Sequence, residues 1–337
     1  MKRIGFIGTG WTDIGQIKAF QKSGLIPQAI FSRSREKANT IAEKYKIPEI
    51  YTDWKKLIES ENIDFVSIVL PTWLHSEVIK NCRKYNKPFI CESPFLSTKE
   101  IEELLNPISN LEIIDYELRF TPHFIKMKEL IQSDEIGKII SFSFEYLSGF
   151  AKDTQVKWNW SNDLKLGGGY LNLVGGHFID LANFLFEDFY KVTKSEFKIY
   201  KMEKIDYKGK LKKVTADDQV LLELEYLNEI NGKISISQMS EIEKLCFIVK
   251  GTKGSLKVEN NELIVNKKEK QKVNLDYDEQ LFSNFDNNLF TIGSYFLGEK
   301  IKNYLENNQT FKYPNLRDSL KNQKIIEEAY KTLPNNV

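Results

Sequence analysis

Residues 3–13 read RIGFIGTGWTD, and the reading of this stretch decides the fold of the first third of the chain. Arg3–Gly8 reads as a strand and Thr12–Lys22 as a helix. Gly8-Thr9-Gly10-Trp11-Thr12-Asp13 is then a strand-to-helix turn. Two glycines allow a sharp turn and the close approach of a pyrophosphate, while a helix N-terminus offers free N–H groups and a favourable dipole. The third fingerprint position holds Asp13 rather than Gly or Ala. A lone Gly-x-Gly also suits a plain strand–helix turn. Its setting of strand, turn, helix and second strand favours a dinucleotide.

Outward from this turn, strands and helices alternate. Pro27–Ser32 is a strand and Arg35–Lys44 a helix. Asp64–Leu70 is an apolar strand, followed by a helix over His75–Tyr85. Pro88–Cys91 and Leu111–Ile114 are two further short strands. Such alternation predicts an α/β doubly wound parallel sheet covered on both faces. After Arg119 the period changes. Ile140, Phe142, Phe144 and Tyr146 alternate with Ser141, Ser143 and Glu145, a strand with one buried face. Val220–Tyr226, Lys233–Gln238 and Leu245–Val249 continue the pattern, with Asn231-Gly232 as a tight-turn signal between two of them. Helices are expected over Tyr170–Phe186 and Leu316–Thr332. The C-terminal part is therefore expected to be α+β, a large, mainly antiparallel open sheet with helices on one side.

The second strand ends in Phe31-Ser32-Arg33-Ser34. An acid here commonly binds the ribose 2′-hydroxyl of NAD. An arginine between two hydroxyls suits the 2′-phosphate of NADP instead, and Lys37 adds charge one turn into the helix. NADP is the expected cofactor, with NAD as the alternative. Arg33 as a plain solvated loop residue is the bland reading.

A formal net charge of +1 argues against capture of nucleic acid or a membrane surface by electrostatics. No apolar run approaches a membrane span, and the N-terminus meets glycine too early for a signal peptide. Cys82, Cys91 and Cys246 read as reduced core thiols of a cytoplasmic protein. The three histidines do not cluster with other ligands, so no metal site is expected.

These stretches together resemble the Gfo/Idh/MocA oxidoreductases, the glucose-fructose oxidoreductase and inositol dehydrogenase family. The resemblance is carried by Gly8-Thr9-Gly10, Leu70-Pro71-Thr72-Trp73-Leu74-His75, Lys87-Pro88-Phe89-Ile90-Cys91-Glu92-Ser93-Pro94, Glu117-Leu118-Arg119-Phe120 with Pro122, and Gly167-Gly168-Gly169 through Gly175-Gly176-His177 and Asp180. It implies a Rossmann domain over residues 1–118 and a substrate-binding and oligomerisation sheet domain over 119–337, whose last helix is free to pack back toward the first. By the resemblance, Thr9, Gly10, Trp11 and Thr12 lie under the pyrophosphate, and Leu70, Pro71, Thr72 and His75 run along the adenosine and nicotinamide ribose. It also implies that Glu92 holds that ribose, Pro94 fixes a turn often made with a cis bond, Arg119 lies near the cofactor, and Lys157–Trp160 lies near the substrate entrance. His177 matches the catalytic histidine. Sugars, cyclitols and their derivatives are the implied substrates, and a homo-oligomer is expected.

Two positions depart from the family. Its Glu-Lys-Pro motif is Glu92-Ser93-Pro94 here, and its catalytic Asp, four residues before the histidine, is Leu173. An ammonium stabilises a developing alkoxide where water is excluded; Ser93 relays a hydrogen bond but supplies no charge. His177 has the side chain suited to acid–base work near neutral pH, and Gly175-Gly176 before it are expected to leave open space for a substrate. By itself a lone histidine on an apolar helix reads as core. Asp180 either orients His177 or bonds backbone. Tyr116, Tyr170, Lys152, Lys157 and Lys165 are further acid candidates, each also readable as packing or surface. Trp158 and Trp160 are either an apolar wall for a sugar or simple core, and His75 and His123 suit helix starts. The first reading is an NADP-preferring oxidoreductase with His177 as acid/base. The alternatives are a catalytically silent NAD(P)-binding sensor or regulator and, more distantly, glycoside cleavage through transient oxidation by tightly held NAD.

Overall fold

The structure is a computed structural model that describes residues 1–106, 110–149, 156–187, 189–275, 277–278, 280 and 283–332. The chain forms two compact units. One comprises Met1–Thr121 and Asp278–Leu320, the other Pro122–Tyr277 and Lys321–Val337.

The first unit is built on six parallel strands: β1 (Arg3–Ile7), β2 (Ile26–Phe31), β3 (Glu49–Tyr51), β4 (Phe65–Ile68), β5 (Phe89–Glu92) and β6 (Glu112–Asp115). Their order is β3-β2-β1-β4-β5-β6, so the chain changes direction across the sheet between β1 and β4. All four residues of β4 are buried, as a central strand covered on both faces requires. Helix starts are set by side-chain caps. Ser34 accepts the Lys37 N–H before Arg35–Tyr45, Asp53 that of Lys55 before Trp54–Glu59, and Ser97 that of Glu100 before Thr98–Leu104. The helix Leu289–Asn307 brings Leu297 and Ile301 into one apolar cluster with Phe20 and Phe120.

The second unit carries β7 (Ile139–Leu147), β8 (Phe189–Lys198), β9 (Glu203–Ile205), β10 (Leu211–Lys213), β11 (Gln219–Tyr226), β12 (Asn231–Ser237), β13 (Lys244–Gly251), β14 (Ser255–Glu259), β15 (Glu262–Asn266) and β16 (Lys270–Lys272). Eight of them form one sheet in the order β16-β15-β14-β13-β7-β12-β11-β8, while β9 and β10 pair separately. Among the described residues every pair in the large sheet is antiparallel except β12 with β7. The helix Gly176–Phe186 seals one face. Phe178 meets Phe247 edge-on at 5.5 Å, and Phe186 stacks on Phe142 at 4.7 Å.

The expected fold class is the one observed, with three local differences. Asn231-Gly232 is not a turn: both residues lie inside β12, opposite Glu225 and Leu224, and the chain turns earlier, with Glu229 at φ 62°. The Phe142 ring covers the place where a Gly232 side chain would stand, so this glycine serves packing. The helix expected over Tyr170–Phe186 opens with a π turn, Leu171–Gly175, and the one after the nucleotide turn does the same over Thr12–Gln16. The sequence reading also passed over β3, β8, β9, β10, β14, β15 and β16, and the helices Trp54–Glu59, Pro122–Gln132 and Leu289–Asn307. No helix among the described residues is long and apolar enough to cross a membrane.

Candidate functional site

The turn after β1 has the geometry a dinucleotide needs. Gly8 sits at φ +114°, and a side chain there would overlap the Val69 carbonyl. Its N–H donates to Phe31 O at 3.1 Å, which ties the turn to β2. Gly10 is exposed, and a Cβ there would meet nothing within 4 Å, leaving the turn open to a phosphate. Thr12 Oγ1 and Trp11 Nε1 are buried and meet no hydrogen-bond partner among the described residues. Unmet buried polar atoms are costly, and these two stand beside the open turn, where a bound phosphate would reach them. Asp13 is turned away: Lys44 binds its carboxylate at 2.8 Å and Tyr45 donates to its carbonyl at 2.8 Å. Its charge is thereby neutralised rather than set against a phosphate.

At the end of β2, Ser32 Oγ accepts the Ser34 N–H at 3.2 Å, and Ser34 Oγ accepts the Lys37 N–H at 3.3 Å. Both hydroxyls serve the chain itself. The exposed Arg33 guanidinium and Lys37 ammonium have no hydrogen bond or ion pair among the described residues. The residues present therefore fit a nicotinamide dinucleotide, on the open phosphate turn and the two unmet polar atoms beside it.

Beyond β4, Leu70 and Pro71 are half-buried and Thr72 fully buried at the start of a 3-10 turn. His75 Nε2 lies 2.8 Å from the Leu70 carbonyl, and the ring stands edge-on to Phe95 at 5.6 Å. Burial pulls this imidazole down to about 4, so it is neutral and serves to clamp two loops. The Ser93–Pro94 bond is cis. Ser93 is 7% exposed and its hydroxyl meets no partner among the described residues. Glu92, Gln16, Ser67 and Asp115 form one network at the carboxyl ends of the strands. Gln16 Nε2 donates to Glu92 Oε1 at 2.9 Å and to Asp115 Oδ2 at 2.6 Å, and Ser67 donates to Gln16 Oε1 at 2.6 Å. Tyr116 is buried in the apolar cluster of this unit, with its hydroxyl 3.5 Å from Ser319 Oγ. Arg119 donates to Asp318 at 3.2 Å.

In the second unit, His177 is buried on the helix Gly176–Phe186. Asp180, one turn on, accepts Asn322 Nδ2 at 2.8 Å. Gly175 does not open space for a substrate. A Cβ there would stand 2.7 Å from Leu171 and 3.0 Å from Ile236, so the missing side chain lets the helix approach the sheet; Gly176 meets only Ile326 at 3.6 Å. Leu173 is half-buried in the π turn. Tyr170 shares a 2.9 Å hydrogen bond with Ser148 and stacks on Tyr146, and burial pushes its phenol well up, which makes it a poor acid. Trp160 is half-buried and opens a 3-10 turn, while Trp158 Nε1 donates to Lys213 O at 3.0 Å. Lys157 lies over the Tyr207 ring, Lys165 is exposed, and Lys152 lies outside the described residues. His123 Nε2 lies 2.8 Å from Asn261 O, as suits a buried helix-start residue.

Gln16, Ser67 and Asp115 escaped the sequence reading. The available signals were a serine inside the apolar run Phe65-Val66-Ser67-Ile68 and an acid closing β6.

Comparison with known proteins identifies the family and the fold. A profile described as oxidoreductase family, NAD-binding Rossmann fold matches residues 2–111, and one described as GFO/IDH/MocA C-terminal domain matches residues 124–257. An uncharacterized oxidoreductase of Synechocystis is 27% identical over 261 residues, 75% of this chain and 70% of the relative. Levoglucosan dehydrogenase of Pseudarthrobacter phenanthrenivorans is 27% identical over 173 residues, 50% of this chain and 44% of that protein. Among solved structures, a levoglucosan dehydrogenase in complex with NADH and L-sorbose superposes with a TM-score of 0.84 at 19% identity, covering 98% of this chain and 97% of that one. At that identity the superposition speaks for the fold.

Proposed function

The chain belongs to the Gfo/Idh/MocA oxidoreductase family, and we propose that within it this protein is an NADP-preferring oxidoreductase acting on a sugar, cyclitol or related carbonyl or hydroxyl compound. The observation that carries the reading is the turn after β1: Gly8 at a positive φ and close to the Val69 carbonyl, open space above Gly10, and buried Thr12 and Trp11 polar atoms without partners among the described residues. A nicotinamide supplies the hydride chemistry when bound. Thr9 to Thr12 bind the pyrophosphate, and Arg33 with Lys37 binds the 2′-phosphate. Arg33 and Lys37, without partners among the described residues, favour NADP over NAD. Leu70, Pro71, Thr72, Glu92, Pro94 and Arg119 border the cofactor, and Trp160 borders the substrate; Tyr116, expected beside it, is buried in the apolar cluster of the first unit. His177 gives or takes the proton on the substrate oxygen, with Ser93 as a relay. The names of dehydrogenases among the relatives support a sugar-like substrate.

A second reading, a nucleotide sensor without turnover, is favoured by one observation: the position where the family has its lysine holds a buried, neutral Ser93. The experiment is nucleotide binding by calorimetry followed by a panel of sugars and cyclitols, with oxidation or reduction of the nicotinamide as readout. Turnover of any panel member supports the enzyme. Tight binding with no turnover across the panel overturns it in favour of the sensor.

A further inference from the structure

The hairpin β9–β10 of the second unit carries a charge that the chain as a whole conceals. Residues 198–213 hold seven lysines against two acids, a net of +5, where the whole chain has +1. Asp206, one of the two acids, is committed to the turn: its Oδ1 accepts the Lys208 N–H at 2.8 Å and the Lys210 N–H at 2.9 Å. None of the seven ammonium groups has a hydrogen bond or ion pair among the described residues. Earlier on β8 the lysines do find acids, Lys191 with Glu225 at 3.1 Å and Lys194 with Glu196 at 2.8 Å. The low net charge that argues against electrostatic capture is therefore an average over an uneven surface.

The same hairpin exposes apolar side chains. Tyr200, Met202, Ile205, Tyr207 and Leu211 are between 41% and 73% exposed, five of the fourteen large hydrophobic side chains that stand out in water among the described residues. Ile205 and Leu211 are register partners, so both leave the ribbon on one side. The ribbon is a fixed frame. Trp158 donates its backbone N–H to Ile205 O at 2.9 Å and its Nε1–H to Lys213 O at 3.0 Å, and Val214 donates its N–H to Met202 O at 2.7 Å. Lysine commonly guards an open strand edge against pairing. That role does not account for the aliphatic side chains set beside the lysines, which are unfavourable in water and mark an interaction surface.

The occupant must be anionic. A second copy of this chain would set two clusters of +5 against each other across a symmetric contact. Nucleic acid rewards flat side chains on which bases stack, and Met202, Ile205 and Leu211 offer none. An acidic protein needs roughly 800 Å² on each side for a stable contact, more than a ribbon of two three-residue strands presents. A lipid surface with anionic headgroups meets both features at once. Lysines are drawn to the headgroups, apolar side chains enter the boundary with the acyl chains, and no shaped partner is required.

We propose that the β9–β10 hairpin is a membrane-surface anchor: its lysines bind anionic lipid headgroups, and Ile205, Tyr207 and Leu211 enter the headgroup boundary. A few apolar side chains and unpaired charges give peripheral, reversible and salt-sensitive attachment. The proposal stands apart from the nicotinamide reading, since none of these side chains belongs to the nucleotide turn.

Its test is co-sedimentation of the full chain with vesicles of phosphatidylcholine alone and of phosphatidylcholine mixed equally with phosphatidylglycerol, at low and high salt. The expected result is binding to the mixed vesicles, none to the neutral ones, and weakening as salt is added. Lys208→Gln, Lys210→Gln and Lys213→Gln together should weaken the partition by about a hundredfold, at about fivefold for each lysine. Ile205→Ser with Leu211→Ser should weaken it by at least about tenfold. All five side chains are exposed, so the unfolding midpoints should not move, which checks the fold of each variant. No binding to the mixed vesicles, or equal binding to both kinds, overturns the proposal on the unmodified protein alone. Undiminished binding in either variant also overturns it. So does tighter binding to a single-stranded oligonucleotide than to the mixed vesicles, or self-association of the free protein that the serine variant abolishes, because these assign the surface to nucleic acid or to a second copy.

Discussion

Tyr330 donates its hydroxyl to Asp217 Oδ1 at 2.6 Å, and this contact anchors the segment that carries His177. The other Asp217 oxygen accepts the Leu171 N–H at 2.9 Å, at the start of the π turn that leads into the helix Gly176–Phe186. Gly169, at φ +107°, is bare because a side chain there would overlap Asp217 and crowd the Tyr330 hydroxyl. Burial pushes the Asp217 carboxyl up to about 6, with the Tyr330 and backbone hydrogen bonds pulling the other way.

That shift sets a pH window for stability. A carboxyl raised in the folded state binds its proton more tightly there than in the unfolded chain. Its contribution is fully present below 3.8 and is lost as pH rises through about 6. The loss is of order 3 kcal/mol. Asp217→Asn keeps an acceptor for Leu171 and should flatten the profile across this window. Denaturant unfolding of both proteins over that range checks it, and an unchanged slope in the variant would remove Asp217 as the cause.

The two glycines of the nucleotide turn should fail differently. Gly8→Ala forces a side chain into the Val69 carbonyl at a positive φ, and should cost roughly 2 kcal/mol or more of stability. Gly10→Ala meets nothing in the protein and should shift stability by less than about 0.5 kcal/mol. It should still weaken nucleotide binding by at least about tenfold, because its methyl occupies the phosphate face. Unfolding curves and binding isotherms on the same samples separate the two effects.

Arg33→Ala should reduce the preference for NADPH over NADH by roughly ten- to a hundred-fold, the worth of one charge-assisted contact. Because Arg33 is exposed, that preference should shrink as salt is added. Equal affinity of the unmodified protein for both nucleotides would sink the assignment.

Ser93→Ala removes a buried hydroxyl that has no partner among the described residues, so the free protein should gain about 1 kcal/mol of stability. If the hydroxyl relays a proton, turnover should fall at the same time. A stabilised variant with undiminished turnover would leave Ser93 no part in the reaction.

His177→Ala should lower kcat by roughly 10²–10⁴-fold, the range for a lost general acid or base. Nucleotide affinity should stay unchanged, which also serves as the check on folding. Full activity in this variant would exclude His177 from the chemistry.

The alternation of apolar strands with helices, the change to period two after Arg119 and the Gly8-Thr9-Gly10 turn were legible along the chain. Each is a local pattern, repeated over a few residues by the geometry of one element, so the sequence by itself determined the parallel sheet, the open sheet and the nucleotide turn. Asn231-Gly232 shows the limit of such signals: the pair suits a turn, yet the Phe142 ring of a neighbouring strand claims the space over Gly232 and draws it into β12. Only the tertiary structure joined Gln16 to Glu92 and Asp115, 76 and 99 residues away, or Tyr330 to Asp217 across 113 residues. The strand order decides which ends become neighbours, and that order is set by the burial of whole faces rather than by any short run of residues. The acids of β5 and β6 share one edge because both strands run parallel in one sheet, and burial there raises a proton affinity that no local spacing encodes.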